Sequence, residues 1–317
     1  MNSSTIRTGN LTLDVKVMAS CDYHRLVLPY SFLEDADCST PTFVFNRVPT
    51  AGIGVLLQMR KAGVRVIADI DDLPELDHRH YLYNAFQHNG TSRDIVESLR
   101  LAHVVTCTTQ YLADQLSVRY EIPMERIVVI PNALPFDRSQ FRRVDRNSDT
   151  TFVYAAGASH YRDATMLPPG RPDVTFAGYE PSHPEWIKIK QVHEGSKFVA
   201  QRALHDYMQV YQGHSVALAP LRPGVFNQCK SNLKMLEAGA AGLAFMASEV
   251  LPYFNFTDQR VVTFARSDNM WRDEMWRFSM SEAMREDAGD ALAAHVREHY
   301  DLFRVNQLRK HILQAPF

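Results

Sequence analysis

One segment, residues 215–248, constrains the fold of this 317-residue chain more than any other. Its apolar run 216–221 is short enough for a buried strand, and the Pro- and Gly-containing stretch after it predicts a loop. Ser231 has the chemistry of a helix N-cap, and Gly239 and Gly242 are predicted to end that helix before a second apolar strand, 243–246. The segment therefore predicts a strand–loop–helix–strand unit.

The charged residues near this helix follow a helical period. Lys230, Lys234, Glu237 and Ala241 are spaced by four, three and four residues, so they are predicted to share one helix face. A helix N-terminus with two ammonium groups attracts a diphosphate, and a carboxylate further along accepts hydrogen bonds from ribose hydroxyls. The alternative interpretation is an amphipathic surface helix with solvated lysines.

This segment resembles the donor-binding signature of the family 4 retaining glycosyltransferases, which have the GT-B fold. In that family two Glu, separated by seven residues, bracket the loop and helix start that hold the nucleotide-sugar. The second Glu corresponds to Glu237, whereas the first falls on Cys229. The chain is similar to a shorter subgroup, with Phe226-Asn227, then Lys230-Ser231, then Lys234 and Glu237.

The resemblance implies an α/β fold of two Rossmann-like domains whose parallel sheets face a central cleft, with a C-terminal helix that crosses back. The implied domains are an acceptor domain (residues 1–147), a donor-binding domain (148–290) and the terminal helix (291–317). The resemblance also implies that Lys230 and Lys234 stabilise the leaving diphosphate. The implied donor-binding residues of the segment are Ser231, Asn232, Leu233 and Glu237.

The N-terminal half alternates strand and helix patterns, which predicts a parallel, doubly wound sheet. The predicted strands are 15–19, 42–45, 64–69, 104–107 and 127–130, and the predicted helices are 23–34, 49–61, 92–101 and 110–120. The polar, Arg-rich stretch 137–149 is interpreted as the linker. A second alternation starts at residue 151, and the last third is helical, with a final run from about residue 290 to 313.

Three further stretches carry candidate site residues. After the first strand of the second half, Gly157, Ser159, His160 and Arg162 resemble the family loop that faces the donor phosphates and sugar; the alternative is a turn with an Asp cap. After strand 15–19, His24 and Arg25 lie where the family approaches the donor sugar and phosphate, and the alternative is an exposed helix start.

The third stretch is acidic. Asp71 and Asp72 follow a predicted central strand, at the end where α/β sheets bind ligands, and are interpreted as acceptor-side groups rather than a metal site. Strand-end capping is the alternative for Asp69. The pair His78 and His80 could bind a metal, but a solvated or substrate-facing loop is favoured.

Composition excludes several classes of protein. The formal net charge of −2 gives no general attraction to nucleic acid or membranes, and no apolar run is long enough to span a bilayer. Four cysteines without CxxC spacing indicate neither a zinc site nor a disulfide framework. With a polar N-terminus that lacks a signal-peptide core, we expect a cytoplasmic protein that needs no metal or obligatory cofactor.

The sequence therefore predicts a retaining glycosyltransferase that moves a hexose or pentose from a nucleoside-diphosphate sugar, with a UDP-sugar favoured, to a hydroxyl acceptor. The acceptor is a glycan, a small molecule or a hydroxymethylated base in DNA. The last option would fit a virus-encoded enzyme and four arginines of the linker: Arg138, Arg142, Arg143 and Arg146. A catalytically silent nucleotide-sugar-binding module and another two-Rossmann enzyme, such as an epimerase, remain alternatives.

Overall fold

The computed structural model describes residues 3–16, 20–33, 38–146, 151–255 and 258–316, which form two compact units. The first unit comprises the described residues of Met1–Ala133, Gln228–Ser231 and Leu302–Phe317. The second comprises those of Leu134–Asn227 and Asn232–Asp301. The predicted domain boundary between residues 147 and 148 lies outside the described residues.

The sheet of the first unit has six strands, in the spatial order β1-β2-β3-β4-β5-β6. The strands are β1 Ser3–Thr8, β2 Leu11–Lys16, β3 Thr42–Asn46, β4 Arg65–Ile70, β5 Val104–Cys107 and β6 Ile127–Val129. β1 and β2 form an antiparallel hairpin, and β2 to β6 are parallel. The sequence analysis did not predict β1, although the dipeptide Gly9-Asn10 is typical of a tight turn. In the structure Gly9 has a positive φ, as such a turn requires. The predicted strand 15–19 is instead β2, and residues 17–19 lie outside the described residues.

The strand order of this first sheet never reverses, so the predicted doubly wound topology is wrong here. The prediction of parallel strands is confirmed from β2 onward. The helices are α1 Ser20–Asp22, a π-helical turn Tyr23–Val27, α2 Leu28–Ser31, α3 Gly54–Lys61, α4 Tyr83–His88, α5 Thr91–Leu101, α6 Gln110–Tyr120 and α13 Leu302–Gln314.

The second unit contains an all-parallel sheet of six strands, in the order β12-β11-β10-β7-β8-β9. The strands are β7 Phe152–Ala155, β8 Val174–Tyr179, β9 Lys197–Ala200, β10 Val216–Ala219, β11 Ala244–Ser248 and β12 Thr263–Ala265. The order runs outward from β7 in one direction and from β10 in the other. This sheet is doubly wound, and its point of reversal lies between β7 and β10.

The helices of the second half differ in part from the prediction. They are α7 Tyr161–Ala164, α8 Pro184–Val192, α9 Val225–Gln228, α10 Leu233–Ala241, α11 Asp268–Met280 and α12 Glu282–His299. Gly242 ends α10 at a φ of 77°, as predicted, but Gly239 lies inside the helix, where a Cβ would come 2.5 Å from Val296. The predicted final helix is two helices, α12 in the second unit and α13 in the first.

Apolar side chains on both faces of the second sheet form its core. Every residue of β10 is buried, as expected for a strand covered on both faces. Trp186 is 1% exposed and packs edge-on against Tyr179, so it is part of this core. Burying each such large side chain stabilises the fold by about 1.5–3 kcal/mol. Among the described residues, no helix combines the length and apolar character needed to cross a bilayer.

Candidate functional site

The reversal point of the second sheet marks a candidate binding site. In open α/β sheets ligands bind outside the carboxyl ends of the strands where the strand order reverses. Here those strands are β7, which leads into a 3-10 turn, Ala158–His160, and β10, whose loop leads to α10. The predicted loop residues Gly157, Ser159 and His160 and the predicted helix residues Leu233, Lys234 and Glu237 thus follow the two strands at the reversal point.

Gly157 leaves open space in front of the backbone after β7. A Cβ at this position would meet only the Oγ of Ser159, at 3.9 Å. The φ of Gly157 is −85°, which any residue can adopt. Neither packing nor backbone conformation requires glycine here, and the open space would let a ligand approach the backbone closely.

Two hydrogen-bond donors beside Gly157 remain available. The exposed hydroxyl of Ser159 and the half-buried guanidinium of Arg162 make no hydrogen bond or ion pair with the part of the chain that the structure describes. The neighbouring His160 is held in place, since its Nδ1 lies 2.8 Å from Oδ2 of the buried Asp163. Oδ1 of Asp163 accepts from the backbone N–H of Arg222, at 2.8 Å, in the loop after β10. Asp163 therefore joins the two loops.

Lys234 lies in the first turn of α10 and reaches the end of β7. Its half-buried ammonium group donates to the carbonyl of Ala155 and lies 5.9 Å from the centre of the Tyr154 ring. The contact with Ala155 places a positive charge at the carboxyl end of β7, within two residues of Gly157. This is the charge that a diphosphate at the reversal point needs.

The N-terminus of α10 has no side-chain cap. The predicted cap, Ser231, is wrong: the N-cap residue is Asn232, and it makes no side-chain cap hydrogen bond. The Nδ2 of Asn232 instead donates to Asp258, at 3.2 Å. Asp258 is fully buried and also accepts from His295 and from Tyr300, at 2.7 and 2.8 Å. An uncapped helix start keeps its amide dipoles available to an anion.

Glu237 is buried one turn further along α10. Its two carboxylate oxygens accept hydrogen bonds from the hydroxyls of Tyr207 and Tyr211, at 2.8 and 2.7 Å. Burial raises the pKa of Glu237, against the opposing effects of Lys234 and the two tyrosines. A carboxylate has about four acceptor positions, so these bonds are compatible with further bonds to ribose hydroxyls.

Lys230 and Ser231 do not belong to the α10 face. Because α10 begins at Leu233, the predicted face shared by Lys230, Lys234, Glu237 and Ala241 does not form, and residues 228–231 are part of the first unit. There Lys230 forms an ion pair with Asp72, at 3.3 Å, and Ser231 accepts from Asn132 at 2.7 Å. The predicted pair of ammonium groups is therefore divided between the two units.

The carboxyl edge of the first sheet holds a charged cluster. Arg47 follows β3, and its Nη2 donates to Asp71 and Asp72, which follow β4, at 2.9 and 3.2 Å. Burial opposes ionisation of Asp71, but Arg47, together with a hydrogen bond from Cys21, more than compensates and lowers the pKa of Asp71 to about 2. With Lys230 on Asp72, the carboxylates are neutralised by cations of the same unit. Arg47 has a φ of 62°, an uncommon conformation for a non-glycine residue.

Arg25 and Asp69 form a buried ion pair below this cluster. The guanidinium donates from Nε and Nη2 to the two carboxylate oxygens of Asp69, each at 2.9 Å, and from Nη1 to Ile130 O and Asn132 Oδ1. Thr106 adds a 2.6 Å hydrogen bond to Asp69. Four of the five N–H groups of Arg25 are thus engaged inside the protein.

Two other predicted positions are buried in the first unit. His24 is 7% exposed, and burial lowers its pKa to about 4, so its imidazole is neutral at neutral pH. Cys229, at the position of the first family Glu, is fully buried, and burial raises the pKa of its thiol to about 12. A neutral thiol cannot replace the charge of a carboxylate.

Arg143 and Arg146 of the linker have side-chain partners in the second unit. Arg143 binds Asp290, and Arg146 donates to the Gly242 carbonyl at 2.6 Å and to Asp290 at 3.2 Å. Arg138 and Arg142 are exposed.

Among the residues that are described, no three His, Cys, Asp or Glu side chains are grouped to hold a metal ion. His78 is exposed, and His80 stacks on Tyr81 with ring centres 5.0 Å apart.

Several residues of these clusters were not predicted from the sequence. Arg47 directly follows a predicted strand, as Asp71 does, so its position at a strand end was an available signal. Tyr207, Tyr211 and Asp258 carry no local pattern that distinguishes them from core or loop residues. Their roles depend on contacts between segments that are distant in sequence.

Comparison with known proteins shows the fold. No protein-family model and no curated protein matches the chain. Among solved structures, sucrose-phosphate synthase from Thermosynechococcus elongatus is 13% identical, with a TM-score of 0.61 over 86% of this chain and 72% of that one. The apo structure of OtsA is 11% identical, with a TM-score of 0.60 over 100% of this chain and 90% of that one.

A third similar structure is HepE from Anabaena in complex with UDP. It is 13% identical, with a TM-score of 0.59, and the match covers 86% of this chain and 78% of HepE. At such low identity these likenesses show the fold alone. The predicted fold class is confirmed: the chain consists of two α/β units with parallel sheets and matches GT-B glycosyltransferases.

Proposed function

We propose that the chain is a glycosyltransferase of the family 4 type, which transfers a sugar from a nucleoside-diphosphate sugar to a hydroxyl acceptor with retention of configuration. The favoured donor is a UDP-sugar. The observation that carries the proposal is the open reversal point of the second sheet. There Gly157 leaves space at the backbone, while Ser159, Arg162 and the uncapped start of α10 offer donors to a diphosphate.

The second unit stabilises the leaving group. Cleavage of the bond between the sugar and the diphosphate develops negative charge on the diphosphate, and prearranged cations lower the barrier because they need no reorganisation. Lys234 and Arg162 supply these cations, Ser159 donates a hydrogen bond, and Glu237 binds the ribose hydroxyls. The diphosphate itself accepts the acceptor's proton, so no separate base is needed.

The first unit has the acceptor role. Asp71 stays ionised because of Arg47, and with Asp72 it offers hydrogen-bond acceptors to a hydroxyl group. The neutral His24 is assigned to the same side as a hydrogen-bonding group. Lys230 neutralises Asp72, and Arg25 fixes Asp69 and the strand end rather than contacting the donor. Which class of acceptor binds is set by the surface of this unit.

A matched pair of lysine variants tests this function. Lys234→Ala removes the cation at the end of β7, and the rate of sugar transfer, or of donor hydrolysis without acceptor, should fall about 10²–10³-fold. Calorimetry should show weaker UDP binding. Lys190→Ala is the control, because exposed Lys190 also lies over a tyrosine ring in the second unit, at 5.4 Å from Tyr179, but on α8. Equal rates for Lys234→Ala and Lys190→Ala would refute the assignment, and an absence of hydrolysis and transfer with every UDP-sugar would favour a silent binding module.

A further inference from the structure

A small cavity in the first unit, lined mostly by apolar side chains, contains more positive than negative charge. It has a volume of about 10 Å³. The charged side chains that line it are two guanidinium groups, Arg25 and Arg309, and one carboxylate, Asp69. Since Asp69 pairs with Arg25, the positive charge of Arg309 has no carboxylate of its own at this cavity.

Arg309 is buried without adequate partners. Its residue exposure is 3%, and its Nη1 donates to Asn306 Oδ1 at 3.1 Å. Its Nη2 has no hydrogen-bond partner among the described residues. Burial and the neighbouring charge of Arg25 lower the pKa of Arg309 to about 10, so the group remains charged at neutral pH.

The C-terminus of α13, which carries Arg309, does not supply the missing partner. The carbonyls of Ile312 and Ala315 at this end accept from Nη1 of Arg65, at 2.6 and 3.0 Å. The remaining lining residues near the guanidinium are mostly apolar, with Tyr30 and Thr106 as the polar exceptions. Thr106 already donates to Asp69. An unpaired buried charge destabilises the folded state, so a counter-ion at this position is strongly favoured.

We propose that this cavity binds one halide ion, of the chloride class, held by Nη2 of Arg309. The small volume favours a monatomic anion over the larger sulfate and phosphate. A water molecule fits the same space but cannot neutralise the charge. The ion is a structural ligand of the first unit, separate from the donor site of the second.

The full chain can be tested by thermal unfolding in sodium chloride and in sodium gluconate at equal ionic strength. Chloride at several times its dissociation constant should raise the Tm by about 2–4 °C, with saturation, because it binds only the folded state. In Arg309→Met the difference between the two salts should disappear. Arg304→Met, at an exposed arginine of the same helix, is the control and should keep it.

Equal Tm values of the wild type in the two salts, or the same chloride effect in Arg309→Met, would overturn the proposal. If Arg309→Met does not fold, a crystal of the wild type soaked in bromide gives an independent answer. An anomalous bromide peak beside Nη2 of Arg309 is expected. An ordinary water peak at this position in saturating bromide would overturn the proposal.

Discussion

The carboxyl edges of the two sheets differ in whether their polar and charged side chains have partners within the protein. In the first unit, Arg25 binds Asp69 and Arg47 binds Asp71 and Asp72, so the charged groups satisfy one another. In the second unit, Ser159 and Arg162 bind none of the described residues with their side chains. The sheets differ in topology as well, because only the second reverses its strand order. The lesson is that an edge rich in charge can be structural, whereas an edge with unused donors at a reversal point indicates a ligand site.

The largest effect should come from breaking the buried pair of the first unit. Arg25→Met leaves Asp69 buried without its cation, so the free energy of unfolding should fall by about 3–5 kcal/mol. Hydrogen exchange of the amides in β4 and β5 measures this loss within the first unit. Arg100→Met is the control, since Arg100 pairs with Glu97 on the surface and should cost less than about 1 kcal/mol. UDP affinity should be unchanged in both variants; a loss confined to Arg25→Met would break the distinction between the two edges.

Acid should destabilise both units through buried histidines. Burial lowers the pKa of His24 in the first unit and of His214 in the second from 6.5 to about 4. Between pH 6.5 and 4 the unfolded chain binds protons that the folded state excludes, so stability falls as the pH falls through this window, by about 3 kcal/mol for each residue.

Hydrogen exchange as a function of pH measures this effect in each unit. His24→Gln should flatten the pH dependence of the first unit only, and His214→Gln that of the second only. His78→Gln, at a side chain that is 68% exposed, is the control. A pH profile of His24→Gln identical to that of the wild type would contradict the burial of a neutral His24.

A smaller effect on stability is expected when either of two glycines of the second unit is replaced by alanine, and the two variants should differ. Gly178 has a φ of 99°, and a Cβ there would lie 2.4 Å from the carbonyl oxygen of Ala156, so Gly178→Ala should destabilise the fold by about 1–3 kcal/mol. Gly157→Ala should change the free energy of unfolding by less than about 0.5 kcal/mol but weaken UDP binding. Denaturation and calorimetry of the two variants check this contrast. Undiminished UDP affinity in Gly157→Ala would mean that the space beside this glycine is not used.

Local patterns in the sequence predict much of the secondary structure. The apolar run 104–107 and the helix 110–120 have the predicted bounds, because strong periodicity and an N-cap at Thr109 define them locally. The hairpin strand β1 has four exposed residues, 5–8, and little apolar character, so it gave no strand signal. Strand order is not a local property, which explains why the topology of the first sheet was predicted wrongly.

The candidate site shows the same limit. The loop with Gly157, Ser159 and His160 and the helix residue Lys234 follow the two strands at the reversal point, and they were recognisable from a local motif. Lys230 has the correct helical spacing from Lys234, but α10 begins three residues after it. The ion pair with Asp72 joins positions 158 residues apart in sequence, which spacing within one segment cannot reveal.

The central claim is that the second unit binds the donor diphosphate at the reversal point of its sheet. A crystal structure of the chain with UDP tests this most directly. We predict that the diphosphate lies beside Gly157 and Ser159, with the guanidinium of Arg162 and the ammonium group of Lys234 in contact with it. Density for the diphosphate beside Arg47 or Lys230 of the first unit, with the loop after β7 empty, would contradict the account.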